Sequence, residues 1–161
     1  MKSLWHETVN LPEFPSLDRD IKTDVLIIGG GIAGILTAHF LQEKGVPYIL
    51  VEKNRLCGGT TGNTTAKITY QHGLIYSRIL KSYGAETARI YLMANRKAFE
   101  KFAELCRDTD CDYEKKDNFV YSKTDRQKLE DEMDALEKIG YDAGLVESTP
   151  PARPYRRRGL L

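Results

Sequence analysis

The chain has 161 residues, a formal net charge of +1 at pH 7 and three cysteines. That length gives room for about one domain with its own apolar core. The balanced charge favours neither nucleic acid nor an acidic surface as a partner, and the few cysteines suit a reducing cytoplasm rather than a disulfide framework. No segment reaches the roughly 18 consecutive apolar residues of a membrane span, and polar residues interrupt any signal peptide. We therefore expect a cytoplasmic protein without a membrane span.

The N-terminal segment, residues 1–23, is polar and contains Pro12 and Pro15. Prolines at this spacing disfavour a regular helix, so we expect an extended arm. Trp5 is the single tryptophan, and its ring is the group expected to anchor the arm. A partly ordered terminus is the alternative.

A strand–helix–strand unit follows from Asp24 to Glu52. The apolar run Val25–Ile28 predicts a first strand, and Ile32–Lys44 has apolar residues at helical spacing. Gly45 and its neighbours end that helix, and a second apolar run, residues 48–51, predicts another strand. A helical crossover of this length predicts that the two strands are parallel and that their connection is right-handed.

The glycines between strand and helix fit the pattern G-x-G-x-x-G with Gly29, Gly31 and Gly34. The first glycine permits a tight turn, the second lets a pyrophosphate approach the backbone, and the third lets the helix pack closely on the strand. The helix start offers unpaired N–H groups and a positive dipole to phosphates. Glu52 is expected to accept hydrogen bonds from ribose hydroxyls, and its charge disfavours a 2′-phosphate. This unit predicts FAD or NAD binding in preference to NADP; a glycine turn without a ligand is the alternative.

The loop at residues 54–67 is rich in threonine and glycine. It cannot form a core element, but its hydroxyls and free N–H groups could follow a cofactor beyond the pyrophosphate. An NAD domain more often passes quickly into its next helix, so this loop favours FAD. A flexible surface loop is the alternative.

Downstream, periodicity predicts two helices, at residues 85–107 and 124–140, and short strands at 119–121 and 144–147. Thr124 and Gln127 fit a capping box for the second helix, and Gly140 is its expected end.

The run VLIIGGGIAGILTAHFLQEKGVPYILVEKNRLCGGTTGNTTAKIT, residues 25–69, resembles the N-terminal FAD-binding part of FAD-dependent oxidoreductases of the D-amino-acid-oxidase/glycine-oxidase (DAO) class. The continuation from Gln71 to Tyr76 is similar to a subset that often carries a C-terminal Rieske iron–sulfur domain. The likeness covers about residues 3–147, and the stretch from the glycine motif to Thr69 is its most specific part.

This resemblance implies an α/β fold: a Rossmann-type FAD/NAD(P)-binding βαβ unit with additional helices and an incomplete sheet. It implies FAD as cofactor and, in the full-length relative, a small-molecule substrate. Beside the motif glycines Gly29 and Gly34, it implies that the pyrophosphate is lined by Gly30, Gly31, Ile32 and Ala33 and that the ribose is held by Glu52. The residues implied along the flavin side are Lys53, Thr60, Thr61, Thr64, Thr65 and Ala66.

The sequence also departs from the family. Relatives continue into a substrate domain and further strands of the nucleotide-binding sheet, which this chain lacks, and the Rieske cysteines and histidines are absent. The resemblance stops after about Glu147, and the basic tail at residues 148–161 suggests a truncated or frame-shifted product. The expected domains are therefore the arm at 1–23, an N-terminal part of the FAD-binding domain at 24–147, and that tail.

The best functional interpretation is FAD binding within a flavin-dependent amine or amino-acid oxidoreductase. The alternatives are a non-catalytic nucleotide-binding module and an NAD-linked dehydrogenase fragment. No residue can be defended as a catalytic base: His72 is more often structural in such a position, and the three histidines are too scattered for a metal site. The sequence leaves the oligomeric state open.

Overall fold

The computed structural model describes residues 3–149. The chain divides into two compact units, Met1–Lys67 and Ile68–Leu161. Their elements, in chain order, are α1 (Leu4–Thr8), β1 (Leu26–Ile28), α2 (Ile32–Glu43), β2 (Ile49–Val51), a 3-10 helix (Thr60–Asn63), α3 (Ile75–Arg107) and α4 (Arg126–Lys138).

The first unit is built around the predicted βαβ motif. Strands β1 and β2 are parallel, with Leu26 opposite Ile49 and Ile28 opposite Val51. Ile27 is buried, whereas residues Leu26 and Ile28 are 54% and 81% exposed. One face of the sheet is therefore uncovered in the part of the chain that the structure describes. The prediction of a Rossmann-type α/β unit with an incomplete sheet is confirmed.

Helix α2 ends where the sequence predicts, and its geometry gives the reason. Gly45 has a φ of 67°, in the left-handed region that glycine adopts without steric cost. Its N–H donates to the Gln42 carbonyl at 3.0 Å, and the Val46 N–H donates to the Leu41 carbonyl at 2.9 Å. This pair of hydrogen bonds is a Schellman motif, which satisfies the last carbonyls of the helix.

The N-terminal segment differs from the prediction at its start. Residues Leu4–Thr8 form the short helix α1, so the expectation of an extended arm is wrong there. The prolines do not prevent this turn of helix because the first of them, Pro12, lies beyond its end. Residues 9–25 contain neither helix nor strand.

The second unit packs α3 against α4. Helix α3 is interrupted at Gly84, which has non-helical angles (φ 83°, ψ 171°), so the helix predicted at residues 85–107 is its second segment. The first segment begins at Ile75 and contributes Tyr76 to the core. The buried core residues of this unit are Tyr76, Ala88, Leu92, Ala135, Leu136 and Ile139.

A buried carboxylate joins the two helices. Glu132 on α4 is 3% exposed. Its oxygens accept hydrogen bonds from the N–H groups of Tyr76 at 3.0 Å and Ser77 at 2.7 Å, and from Gln71 Nε2 at 3.0 Å. Tyr76 and Ser77 lie in the first turn of α3, where N–H groups lack intrahelical acceptors. Glu132 therefore caps α3 from a neighbouring helix, and the same hydrogen bonds satisfy its own buried oxygens.

The start of α4 also corrects a prediction. Asp125, not Thr124, is the N-cap: its carboxylate accepts from the Lys128 N–H at 3.2 Å. Lys128 Nζ lies 2.8 Å from the same carboxylate, which lowers the pKa of Asp125 mainly through this side-chain hydrogen bond. The predicted end of the helix is confirmed by Gly140, whose φ is 83°.

The two short strands predicted in this unit are wrong. Residues 119–121 and 144–147 have no strand conformation. A strand exists only where another strand pairs with it, and the described part of the unit supplies no partner for either segment. Of the predicted basic tail at 148–161, residues 150–161 lie outside the described residues.

Candidate functional site

The glycine turn between β1 and α2 has the geometry that its motif predicts. Gly29 has a φ of 105°, and its N–H donates to the Val51 carbonyl at 2.8 Å, which continues the sheet past the end of β1. A Cβ added to Gly34 would lie 2.0 Å from the Gly29 carbonyl oxygen and 3.4 Å from Ile27 Cγ2. A side chain at Gly34 would therefore force helix and strand apart.

Gly31 occupies a different environment. It is the N-cap of α2, with φ −81° and ψ −177°, a backbone conformation open to any residue. An added Cβ would meet only Thr61 Oγ1, at 3.5 Å. The fold does not require glycine here, and the space beside its Cα remains available to a ligand.

The start of α2 presents N–H groups that have no acceptor within the helix. Ile32 donates its N–H to Thr61 Oγ1 at 3.0 Å. The N–H groups of Gly31 and Ala33 have no acceptor within residues 3–149. These groups and the positive end of the helix dipole together form a site suited to an anion.

Glu52 lies directly after β2 and reaches the glycine turn. Its Oε2 accepts from the Gly30 N–H at 2.7 Å, and its Oε1 accepts from the Asn54 N–H at 2.9 Å. The hydrogen bond from Gly30, followed by that from Asn54, lowers the pKa of Glu52. The carboxylate is therefore ionised at neutral pH. Since a carboxylate offers about four lone-pair positions, it can accept further hydrogen bonds from a ligand.

Gly30 is more constrained than its predicted role implies. Its N–H is used by Glu52. An added Cβ would lie 2.4 Å from Leu56 Cδ2 and 3.2 Å from Glu52 Cβ. The Gly30 carbonyl accepts from the Cys57 N–H at 2.9 Å, so the turn is held on both sides by the segment after β2. The sequence does not predict the Leu56 contact, because a contact at this separation has no local signal.

The loop after β2 brings one predicted site residue to the glycine turn. Thr61, in the 3-10 helix, contacts the start of α2 as described above. Ala66 has a φ of 53°, and its N–H donates to Thr64 Oγ1 at 3.3 Å. The remaining predicted residues of the loop are exposed and form no hydrogen bond with the glycine turn in the described part of the chain; they are Lys53, Thr60, Thr64, Thr65 and Ala66.

His72, His39 and Cys57 are further reactive side chains of the described residues. His72 is exposed, and His39 Nε2 lies 3.5 Å from Glu43 Oε1 along α2. Cys57 is a free, partly buried thiol. No group of three or more histidine, cysteine, aspartate or glutamate side chains among the described residues could hold a metal ion.

The second unit contains a cavity of about 500 Å³ beside α3 and α4. Its lining includes Tyr70, Phe99, Glu132 and Tyr141. The hydroxyls of Tyr70 and Tyr141 lie 3.3 Å apart, and this hydrogen bond, with burial, raises the pKa of Tyr141 to about 12. None of the predicted site residues lines this cavity. None of the helices in the described part of the chain has the length and apolar character needed to cross a membrane.

Comparison with known proteins shows the family to which this chain belongs. The family described as FAD dependent oxidoreductase (DAO) matches residues 24–159 and so extends past Glu147, where the sequence analysis ended the resemblance. A Bacillus subtilis (strain 168) protein named as a Rieske 2Fe-2S iron–sulfur protein, YhfW, is 36% identical over 153 residues, which are 92% of this chain and 30% of that protein. Gamma-glutamylputrescine oxidoreductase of Escherichia coli (strain K12) is 31% identical over 135 residues, 79% of this chain and 30% of that protein.

A third relative is more distant. The bifunctional protein MnmC of tRNA 5-methylaminomethyl-2-thiouridine biosynthesis, from Psychrobacter cryohalolentis, is 29% identical over 108 residues, 52% of this chain and 16% of that protein. No solved structure matches the chain. The chain thus spans about a third or less of the length of these relatives. Because the family match covers most of its residues, the chain belongs to the FAD-dependent oxidoreductase (DAO) family, whose cofactor is FAD.

Proposed function

We propose that this chain binds FAD through the ADP half of the cofactor, with the pyrophosphate at the glycine turn. The observation that carries the proposal is the contact between Glu52 Oε2 and the Gly30 N–H at 2.7 Å. This contact brings a carboxylate suited to ribose hydroxyls beside a helix start suited to phosphates. Two parts of a dinucleotide site that lie 22 residues apart in sequence thus share one place.

The residues of the turn have separate roles in this proposal. The N–H groups of Gly31 and Ala33, with the dipole of α2, would hold the pyrophosphate. The open space beside Gly31 would let the phosphates approach the backbone.

Gly29 and Gly34 would shape the turn without contacting the ligand. Gly30 and Ile32 would line it, although their own N–H groups donate to Glu52 and Thr61.

Glu52 would select the nucleotide. Two of its lone pairs accept backbone N–H groups, which leaves the others for the ribose hydroxyls. Because hydrogen bonds lower its pKa, the side chain stays charged and would repel a 2′-phosphate. The loop residues Lys53, Thr60, Thr61, Thr64, Thr65 and Ala66 would follow the cofactor toward its flavin.

For the whole protein we propose an oxidoreductase acting on a small amine or amino acid. Support comes from family membership and from the E. coli relative, whose name specifies oxidation of gamma-glutamylputrescine. When bound, FAD would accept a hydride from a substrate C–H next to nitrogen. The residues of this chain would bind and orient the ADP half, and we assign none of them to proton transfer.

A second candidate is a module that binds FAD or ADP without turnover. The exposed Leu26 and Ile28 on β1 favour it for the chain taken alone, because an apolar sheet face stays unburied within the described residues. An NAD-linked dehydrogenase fragment is a weaker alternative, since the threonine-rich loop is longer than such a domain usually needs.

The proposal is tested with Gly31→Ala in the 161-residue chain. Its Cβ would enter the space assigned to the phosphates but would make no close contact with the fold. We expect FAD and ADP affinity, measured by calorimetry, to fall about tenfold or more, with an unchanged far-UV circular dichroism spectrum. Gly144→Ala is the control, because its Cβ would meet nothing within 4 Å. Equal FAD affinity in native chain and Gly31→Ala would contradict the pyrophosphate assignment.

Anaerobic addition of an amine or amino acid then separates the two candidates. Bleaching of the flavin absorption would support the oxidoreductase. Stable absorption in a chain that holds FAD would support the module. A native chain that binds neither FAD nor ADP would contradict both.

A further inference from the structure

The short helix α1 contacts the loop that shapes the candidate FAD site. Trp5 Nε1 donates a hydrogen bond to the Thr64 carbonyl at 2.7 Å. A Cβ added to Gly62 would lie 2.6 Å from the ring of His6, so this ring packs directly on the glycine. Two successive side chains of α1 therefore hold the 3-10 helix and the residue after it.

That loop in turn contacts the glycine turn. The 3-10 helix carries Thr61, whose hydroxyl accepts from the Ile32 N–H at 3.0 Å. The same hypothetical Cβ on Gly62 would lie 2.4 Å from the Cys57 carbonyl oxygen. Cys57 donates its own N–H to the Gly30 carbonyl at 2.9 Å. The loop at residues 57–64 thus contacts α1 on one side and Gly30 and Ile32 on the other.

We propose that Trp5 and His6 are positioning residues for the FAD site. This inference rests on the function proposed above. The two side chains hold the loop so that Thr61 caps the Ile32 N–H and leaves the N–H groups of Gly31 and Ala33 for the pyrophosphate. Glycine is required at position 62 because the His6 ring and the Cys57 carbonyl close on it from two sides. Releasing the loop would uncover the Ile32 N–H and let the turn change shape.

The exposure of Trp5 argues against a simple role in the core. The residue is 37% exposed. An indole that contributed only apolar area would be stabilised more by deeper burial. In this structure the indole N–H is the group that contacts the loop. We expect the loss of this one hydrogen bond to weaken FAD binding by about threefold to tenfold.

The test uses Trp5→Phe, which keeps an aromatic ring but removes the N–H donor. We expect faster hydrogen exchange at residues 57–64 and at the Ile32 amide of the ligand-free chain, and FAD binding about threefold to tenfold weaker. The urea midpoint should change little. Phe14→Leu is the matched control, since Phe14 is an aromatic residue of the same segment and is 70% exposed.

His6→Ala provides a second variant, because it removes the ring that packs on Gly62. Trp5 is the single tryptophan, so its emission reports release of α1 directly. We expect a red shift in this variant together with weaker FAD binding. If both variants bind FAD as the native chain does, the inference is wrong, even where exchange increases. If the native chain itself fails to bind FAD, the proposed function fails and this inference with it.

Discussion

The close approach of α2 to β1 predicts that Gly34→Ala damages both the fold and the cofactor site. The added Cβ would lie 2.0 Å from the Gly29 carbonyl oxygen. Carbon and oxygen atoms in ordinary contact lie about 3.3 Å apart, so helix and strand must separate by about 1.3 Å. The oxygen belongs to the backbone, so no side-chain rotation can relieve the contact.

The expected energy follows from two opposing effects. Overpacking of this kind costs about 3 kcal/mol, at the upper end of the usual range, since backbone meets backbone. Alanine in place of glycine within a helix returns about 1 kcal/mol. The net loss is about 2 kcal/mol, or about 30-fold in the folding equilibrium of the first unit.

Urea unfolding followed by circular dichroism measures this loss, and calorimetry measures FAD binding on the same sample. Gly31→Ala is the matched control for stability, because its Cβ would meet only Thr61 Oγ1 at 3.5 Å. We expect Gly34→Ala to lower the urea midpoint and FAD affinity together, whereas Gly31→Ala lowers affinity alone. A native midpoint and native FAD affinity in Gly34→Ala would refute the packing argument.

Two further predictions concern the second unit. Glu132→Ala leaves the N–H groups of Tyr76 and Ser77 without their acceptor in the core. We expect the free energy of unfolding, measured in urea, to fall by about 3 kcal/mol. A decrease below about 0.5 kcal/mol would contradict the capping role. The hydrogen bond with Tyr70 and burial raise the pKa of Tyr141 from 10.0 to about 12. The unfolded chain therefore loses this proton at a lower pH than the folded chain, and the free energy of unfolding should fall as pH rises from 10 to 12. Absorbance at the tyrosinate band should show this late titration, and Tyr141→Phe should reduce its amplitude by one tyrosine, because burial also raises the pKa of Tyr76. An unchanged titration curve would contradict the assignment.

The predictions that succeeded depend on neighbouring residues. The run before Gly29, the helical spacing after Gly31 and the Schellman turn at Gly45 are each specified within a few positions, and the structure confirms the βαβ unit that they predict. The two strands predicted at residues 119–121 and 144–147 failed for the opposite reason. Residue types can make a segment suitable for a strand, but a strand forms only when a partner supplies its hydrogen bonds.

In the candidate site, too, the local features follow from the sequence and the distant contacts follow from the tertiary structure. By itself, the sequence determined that a glycine turn, a helix start and an acidic residue after β2 lie in the order of a dinucleotide site, because that order is local and the glycines have few other uses. Only the tertiary structure decided that Glu52 takes the Gly30 N–H, that Thr61 caps Ile32 and that Trp5 holds the loop. Those partners lie 22, 29 and 59 residues apart, and such pairs are chosen by the packing of the whole unit rather than by any short pattern.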